Sequence, residues 1–372
     1  MTKKLYSLLV LCFLLLLTAG CGGKQEAAKV ATNSSPAPQN SNTVTIGFIA
    51  GSQSSPQAVI AQENNLFAAE LKGTGKQVKL DPTRSLDNVW PLMDKEKWDF
   101  AYIPSGNFGT YVTKTSHFGG SDKYIILAGS LNVNSNLLVT KPEIKTLKDL
   151  AGKKVSIANL RYYDEYMLNK LLAPEGLATD TAGGNVQLVW DDIVPKQLTN
   201  WSQGKYDGVI IYSTDNTPTF LEKIKGSKVL MDLNDKQNMG QDAPKYWLIA
   251  RKTLVQSDPE LVKKVLKAHI LLTENATANR AKLPEISRRV YLKYWQDRNA
   301  KMDDIIKKNP IELYQKKWKK GTFSWDPNVQ VATEFFNMLD KKGLVKGQTV
   351  EGFINIQPLN QVLTEMNKPV IK

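Results

Sequence analysis

The chain has 372 residues and carries 49 Lys and Arg against 36 Asp and Glu, a formal net charge of +13. The lysines are scattered, with no block of five or six like charges, so the basic balance reads as a solvated surface and not as a nucleic-acid site. Two histidines, His117 and His269, with no His-Glu-x-x-His between them, exclude the commonest zinc-hydrolase motif.

Lys3 and Lys4 precede an apolar run, Leu8 to Leu17. Spanning a bilayer takes about 20 residues in a helix; a shorter run suits the core of a signal peptide. Leu17-Thr18-Ala19-Gly20-Cys21 resembles the lipobox of bacterial lipoproteins, with Thr18 where Leu is usual. This predicts a signal peptide over 1–20, lipidation of Cys21, and a mature protein exported and anchored to the outer face of the bacterial cell membrane. Losing the signal leaves 352 residues and one cysteine, so no disulfide can form within the mature chain. Two domains suit that length. Residues 21–43 hold Gly, Lys, Gln, Ala, Asn, Ser and Pro with Val30 as the one large aliphatic. Such a stretch cannot bury enough apolar surface to order itself, and as a tether it would reach roughly 25 Å.

The fold is expected to begin at Val44. Val44, Ile46 and Phe48 alternate with Thr45 and Gly47, and Gly51 to Pro56 breaks the strand, with Ser55 as N-cap and Pro56 as first helical residue. The same strand–loop–helix order recurs. Strands are read at 77–80, 99–103, 124–128, 137–140, 154–158, 186–190 and 208–211, and helices at 86–95, 165–172, from 195, and at 217–224. Trp247 to Ala250 reads as a strand returning to the first set, and Asp258-Pro259-Glu260 opens a long amphipathic helix. Helices follow at 283–295, 311–318, 327–341 and 358–366. Alternating strands and helices predict an α/β fold with two mostly parallel sheets. Glu96-Lys97-Trp98-Asp99-Phe100-Ala101-Tyr102 is echoed by Gly204-Lys205-Tyr206-Asp207-Gly208-Val209-Ile210, a Lys-aromatic-Asp step into a buried strand in each half.

Four stretches carry a family resemblance: Ile46-Gly47-Phe48-Ile49; Trp98 to Pro104; Ile144 to Val155 with its Leu-Lys-Asp-Leu-Ala-Gly-Lys-Lys-Val; and Ser257 to Val262. On these the chain resembles the nitrate/sulfonate/taurine-type solute-binding proteins of ABC transporters, whose relatives include binders of thiamine pyrimidine precursors. The resemblance implies a two-lobe type II periplasmic-binding-protein clamshell with C-terminal helices. One lobe would comprise 44–131 and 247–372, the other 132–246. It also implies an ABC permease and ATPase as partners, a small-molecule ligand, no catalytic residue and no cofactor or metal.

In open α/β sheets ligands bind beyond the carboxyl ends of the strands, where helix N-termini offer N–H groups. The resemblance places the ligand on Gln53, Ser54 and Ser55, on Ser105, Gly106 and Asn107, on Asn132 and Asn134, and on Asn159, Tyr162, Tyr163, Tyr212, Ser213 and Thr214. Two stretches depart from the family pattern, Arg161-Tyr162-Tyr163-Asp164 and Tyr212-Ser213-Thr214-Asp215. Arg161 could clamp an anionic head bidentately, while the tyrosines offer faces to a ring or cation. This favours a sulfonate-like or ring- or amine-bearing organic molecule over inorganic nitrate. Trp90, Trp190 and Trp247 are secondary cleft candidates, and His269 reads as a structural histidine of the long helix. Asp191-Asp192 and Asp303-Asp304 read as solvated faces or caps. The alternatives are a sensor subunit that signals to a membrane receptor, or an enzyme related to thiamine-pyrimidine metabolism.

Overall fold

The structure, a computed structural model, describes residues 42–52, 55–84, 88–113, 123–132, 136–157, 161–191, 194–212, 226–233, 246–319, 321–345 and 349–372. The leader, Cys21 and the tether lie outside these residues, as does the helix expected at 217–224. Among the described residues no helix is long and apolar enough to cross a membrane.

The chain first lays down β1 (Thr43–Ile49), β2 (Gln77–Thr83), β3 (Phe100–Pro104) and β4 (Tyr124–Asn132). It then crosses to β5 (Asn136–Thr140), β6 (Lys154–Ile157), β7 (Gln187–Trp190), β8 (Gly208–Tyr212) and β9 (Lys228–Asp232). It returns for β10 (Tyr246–Arg251) and β11 (Thr322–Phe323). A six-stranded sheet has the order β11-β4-β10-β3-β1-β2, and a five-stranded sheet the order β7-β6-β8-β5-β9. In the first, β1 runs parallel to β2 and β3, and β10 antiparallel to β3 and β4. In the second, β6 runs parallel to β7 and β8, and β5 antiparallel to β8 and β9. The two sheets therefore share one five-strand plan, three parallel strands and then two more beginning with an antiparallel one, to which the first sheet adds β11 at its edge, and each forms the floor of a lobe.

The Lys-aromatic-Asp echo is the joint that builds this plan twice. Asp99 accepts a hydrogen bond from the Thr45 amide of β1 at 2.8 Å and pairs with Arg251 at the end of β10. Asp207 accepts from the Lys154 amide of β6 at 3.0 Å and pairs with Lys141, just past β5, at 2.8 Å. Burial pushes the Asp207 carboxyl up, but Lys141 and the Lys154 amide outweigh it and hold it below the ordinary range. Asp99→Ala and Asp207→Ala are each expected to cost about 1–3 kcal/mol, because each strands a sheet amide and a cation together. Urea unfolding measures both losses, which should be of similar size; loss at one site only would break the equivalence.

The aromatic step needs space. A Cβ on Gly47 would lie 2.0 Å from the Trp98 ring, so glycine lets the indole lie against β1 while its Nε1 donates to Asp81 at 2.9 Å. β2 runs through Pro82, beyond the four residues expected of it. It is an edge strand, so the missing proline N–H interrupts no ladder. β9 was not legible in the sequence; it too is an edge strand, only partly buried, and shows no alternation.

Helix Pro259–Ala278 starts as expected, with Asp258 accepting from the Leu261 amide at 3.1 Å. His269 on this helix is fully buried and meets the Tyr102 hydroxyl of β3 at 2.9 Å through Nδ1. Helices Lys252–Ser257 and Met302–Lys308 were not expected from the sequence. The apolar core does not divide by sheet. Ile103 and Tyr124 of the first sheet, Val155 and Ile157 of the second, and Phe335 and Phe336 of helix Val329–Lys341 belong to one cluster.

Candidate binding cleft

Pairing of Ile46 with Phe100 and Gly47 with Ala101 carries forward to put Gly51 level with Ser105, so the loops after β1 and β3 share one rim. Ser55 precedes helix Pro56–Ile60 and is completely buried, yet its hydroxyl makes no cap bond and has no hydrogen-bond partner. Helix Ser105–Thr113 follows β3 directly and is buried from Ser105 to Val112. Asn107, in its first turn, is 5% exposed, and its Oδ1 has no partner. Asn132, closing β4 on the same lobe, also holds an unpartnered buried Oδ1. Buried polar oxygens are nearly always hydrogen-bonded; Ser55, Asn107 and Asn132 hold three that have no partner among the described residues, and others lie on Glu165, Gln197 and Ser287.

Gln57 fixes the first of these loops. Its Nε2 donates to the Ser130 carbonyl at 3.2 Å and to Thr273 Oγ1 at 2.9 Å, and its Oε1 accepts from Ser130 Oγ at 2.7 Å. The first helix is thus tied to β4 and to helix Pro259–Ala278. Tyr246 opens β10 opposite Pro104, and its hydroxyl bonds Ser52; burial raises its pKa and the Ser52 bond works against that. Neither Gln57, Ser52 nor Tyr246 was among the expected residues. Only the strand-opening position of Tyr246 after the second crossing could have pointed to it.

From the second sheet comes helix Arg161–Leu172. The Arg-Tyr-Tyr-Asp stretch, read as the loop before a helix starting near 165, is the first turn of that helix. An acidic residue there suits the positive helix end, and Asp164 occupies the place wholly buried. Tyr163 is buried edge-on to Trp247 at 6.4 Å and to Phe335 at 5.1 Å, and its hydroxyl bonds Ser105. Burial pushes that hydroxyl's pKa up, the Ser105 bond opposes the rise and Asp164 adds to it. Tyr162 stands edge-on to Trp190 at 5.2 Å. Of the secondary tryptophans, Trp247 donates to the Pro327 carbonyl at 3.1 Å within the core, and Trp90 stacks on Tyr111 at 5.4 Å.

Farther along the same helix, Tyr166 donates to Glu334 at 2.7 Å and Lys170 pairs with the same carboxylate. Lys342 pairs with buried Glu165 at 2.7 Å. Burial pushes Glu334 up, but Lys170, Tyr166 and Gln330 overcome it and leave the carboxyl below its usual range. Helix Val329–Lys341 therefore grips the second lobe from a base on the first.

Gln53, Ser54, Asn134, Asn159, Ser213 and Thr214 lie outside the described residues. Arg161 and Tyr212 are placed by their backbones only: Arg161 starts its helix and Tyr212 ends β8. Asp191 is corrected. It is no solvated face but a buried hub, accepting from Ser156 at 2.8 Å, Tyr206 at 2.7 Å and Asn200 at 3.0 Å. Among the described residues no group of three His, Cys, Asp or Glu could hold a metal ion. A surface hollow of about 520 Å³ runs along helix Leu283–Gln296. Its cations are already engaged, Arg289 with Glu63, Lys293 with Asp297 and Arg288 with the Asn309 carbonyl, so it competes poorly with the rim as a solute site.

Two lobes of this shared plan, joined by two crossings and closed over helix N-termini, define the periplasmic-binding-protein fold. The chain belongs to the NMT1-like family, whose pattern matches residues 37–290. Its structure resembles the periplasmic sulfonate-binding protein SsuA of Methylobacillus flagellatus KT, at 17% identity, over 87% of this chain and 94% of that one, with a TM-score of 0.59. The periplasmic nitrate-binding protein NrtA of Synechocystis PCC 6803 matches at 14% identity, over 89% and 90%, also with a TM-score of 0.59. The periplasmic aliphatic sulphonate binding protein SsuA of Escherichia coli matches at 14% identity, over 84% and 92%, with a TM-score of 0.57. Identities at this level establish the fold alone. A search among curated proteins found no match.

Proposed function

We propose that this protein is an extracytoplasmic solute-binding lipoprotein that captures a small organic molecule between its lobes and delivers it to an ABC importer. Its lobes would be 44–132 with 246–372, and 133–245, one residue from the expected bounds of 44–131 with 247–372 and 132–246, because Asn132 ends β4 and Tyr246 opens β10 in the first sheet; Cys21 would anchor it to the membrane. The observation that carries this reading is the set of buried, unpartnered oxygens on Ser55, Asn107 and Asn132 at the ends of strands. The sulfonate- and nitrate-binding names of the structural neighbours support it.

The same oxygens bear on the ligand. With the amides oriented as found, Asn107 and Asn132 present acceptors, and an acceptor needs a donor opposite it. Nitrate and an ionised sulfonate group carry none. A ring or amine N–H does, and an acidic head on the same molecule could sit at the N-terminus of helix Ser105–Thr113.

Mass spectrometry of solute released from the purified protein identifies the ligand, and calorimetry then tests the site. Ser55→Ala and Asn107→Ala should each weaken binding about 5- to 100-fold, the scale of a lost buried hydrogen bond. Stability without ligand should hold or rise, since these oxygens have no protein partner to lose. Unchanged affinity in both variants overturns the placement, and turnover of the bound compound would replace a binder with an enzyme.

A further inference from the structure

The positive charge is not spread evenly. Residues 280–319 hold twelve Lys and Arg against five Asp and Glu, a net of +7 out of +13 for the chain. This segment forms helices Leu283–Gln296, Met302–Lys308 and Ile311–Trp318, and the two shorter helices both pack on the first. Their arginines are largely engaged by the protein: Arg280 with the Trp318 and Gly321 carbonyls, Arg288 with the Asn309 carbonyl, Arg289 with Glu63, and Arg298 with the Tyr294 carbonyl. Of the lysines, Lys293 pairs with Asp297 and Lys317 donates to the Gly51 carbonyl. Lys282, Lys301, Lys307, Lys308, Lys316 and Lys319 are all exposed and make no ion pair among the described residues.

Two further observations give this surface a direction and a kind of partner. Ile306, one of three large hydrophobic residues that stand exposed among the described residues, sits directly before Lys307 and Lys308. Cations flanking an exposed apolar side chain suit a surface that is anionic outside and apolar just beneath. The layer also borders the first rim loop. Lys317 reaches the Gly51 carbonyl at 3.4 Å, and a Cβ on Gly51 would lie 2.6 Å from the Tyr291 ring.

We propose that helices 283–296, 302–308 and 311–318 form an electrostatic docking surface for an anionic lipid bilayer, turning the rim of the first lobe toward the membrane. This inference rests on the proposed export and anchoring. Each lysine near an anionic bilayer contributes about 1 kcal/mol, roughly fivefold in partitioning, and the attraction fades within a Debye length, about 8 Å at physiological salt. Folding thus gathers lysines scattered in the sequence onto three helices that pack together.

The test is sedimentation of the full chain with vesicles of phosphatidylcholine alone or of phosphatidylcholine mixed with anionic phosphatidylglycerol. The leader, with Lys3 and Lys4, is common to parent and variants, so the anionic-specific binding of each variant compared with the parent is the readout. Anionic vesicles should bind more tightly, and 0.5 M salt, on the order of a 4–5 Å screening length, should remove the difference. Lys307→Ser with Lys308→Ser should lower the anionic-specific binding about 25-fold, and Ile306→Ser should lower it further. Equal binding to both vesicles, or a double variant that binds like the parent, overturns the proposal and leaves an acidic protein surface as the partner of this layer. Solute binding measured on the same samples separates this failure from failure of the transport reading.

Discussion

Stability is expected to fall steadily as the pH drops below 6.5, and His269 is the cause. Burial lowers its pKa from 6.5 to about 3, against a weaker opposing contact with the Gly129 backbone. In the unfolded chain the imidazole takes up its proton near pH 6.5; in the folded chain it stays neutral until about pH 3. Between those values the unfolded state binds the extra proton, so stability declines by up to about 1.4 kcal/mol per pH unit. The wholly buried setting and the Tyr102 hydroxyl on Nδ1 fit a neutral ring. Urea unfolding of the parent and of His269→Gln at pH 7, 5.5 and 4.5 measures the effect. The variant should show an acid limb shallower by about one proton, and identical slopes would remove His269 as the source.

Tyr163→Ala is expected to be the most damaging single substitution at the junction of the lobes. The ring is 1% exposed and packs on Trp247 and Phe335, so truncation removes buried area and leaves a cavity, at a cost of about 3–5 kcal/mol. Tyr163→Phe keeps the ring and loses only the bond with Ser105, about 1 kcal/mol. Denaturant melts separate the two, and small-angle scattering should show Tyr163→Ala more open than Tyr163→Phe. If alanine costs no more than phenylalanine, the ring does not hold the lobes together.

The halves of the fold were legible because each uses the same chemical joint. Trp98-Asp99 and Tyr206-Asp207 announce a strand whose preceding carboxylate must bind a neighbouring amide and a cation, and that need leaves a fixed pattern in the chain. Helix Pro259–Ala278 was equally plain, with Asp258 and Pro259 at its start and a long apolar face behind them. β9 was hidden because its apolar part is the short unalternating run Val229-Leu230-Met231, which periodicity alone cannot tell from a piece of helix. Asp191 was misread because adjacent acids look solvated until Ser156, Asn200 and Tyr206 converge on one of them.

The rim residues divide the same way. The order of strand, small polar loop and helix determined that Ser55, Ser105 and Asn107 would stand at strand ends, since local pattern sets where a strand stops and a helix begins. Hydrogen-bond satisfaction depends on groups far apart in the chain. Only the tertiary structure decided that Ser105 would be taken by Tyr163 while Ser55 and Asn107 kept buried oxygens without partners. It also decided that the tyrosine of the second lobe turns inward as packing against Trp247, 84 residues on, and Phe335, 172 residues on. Burial and pairing are properties of the assembled surfaces, and no run of neighbouring residues contains them.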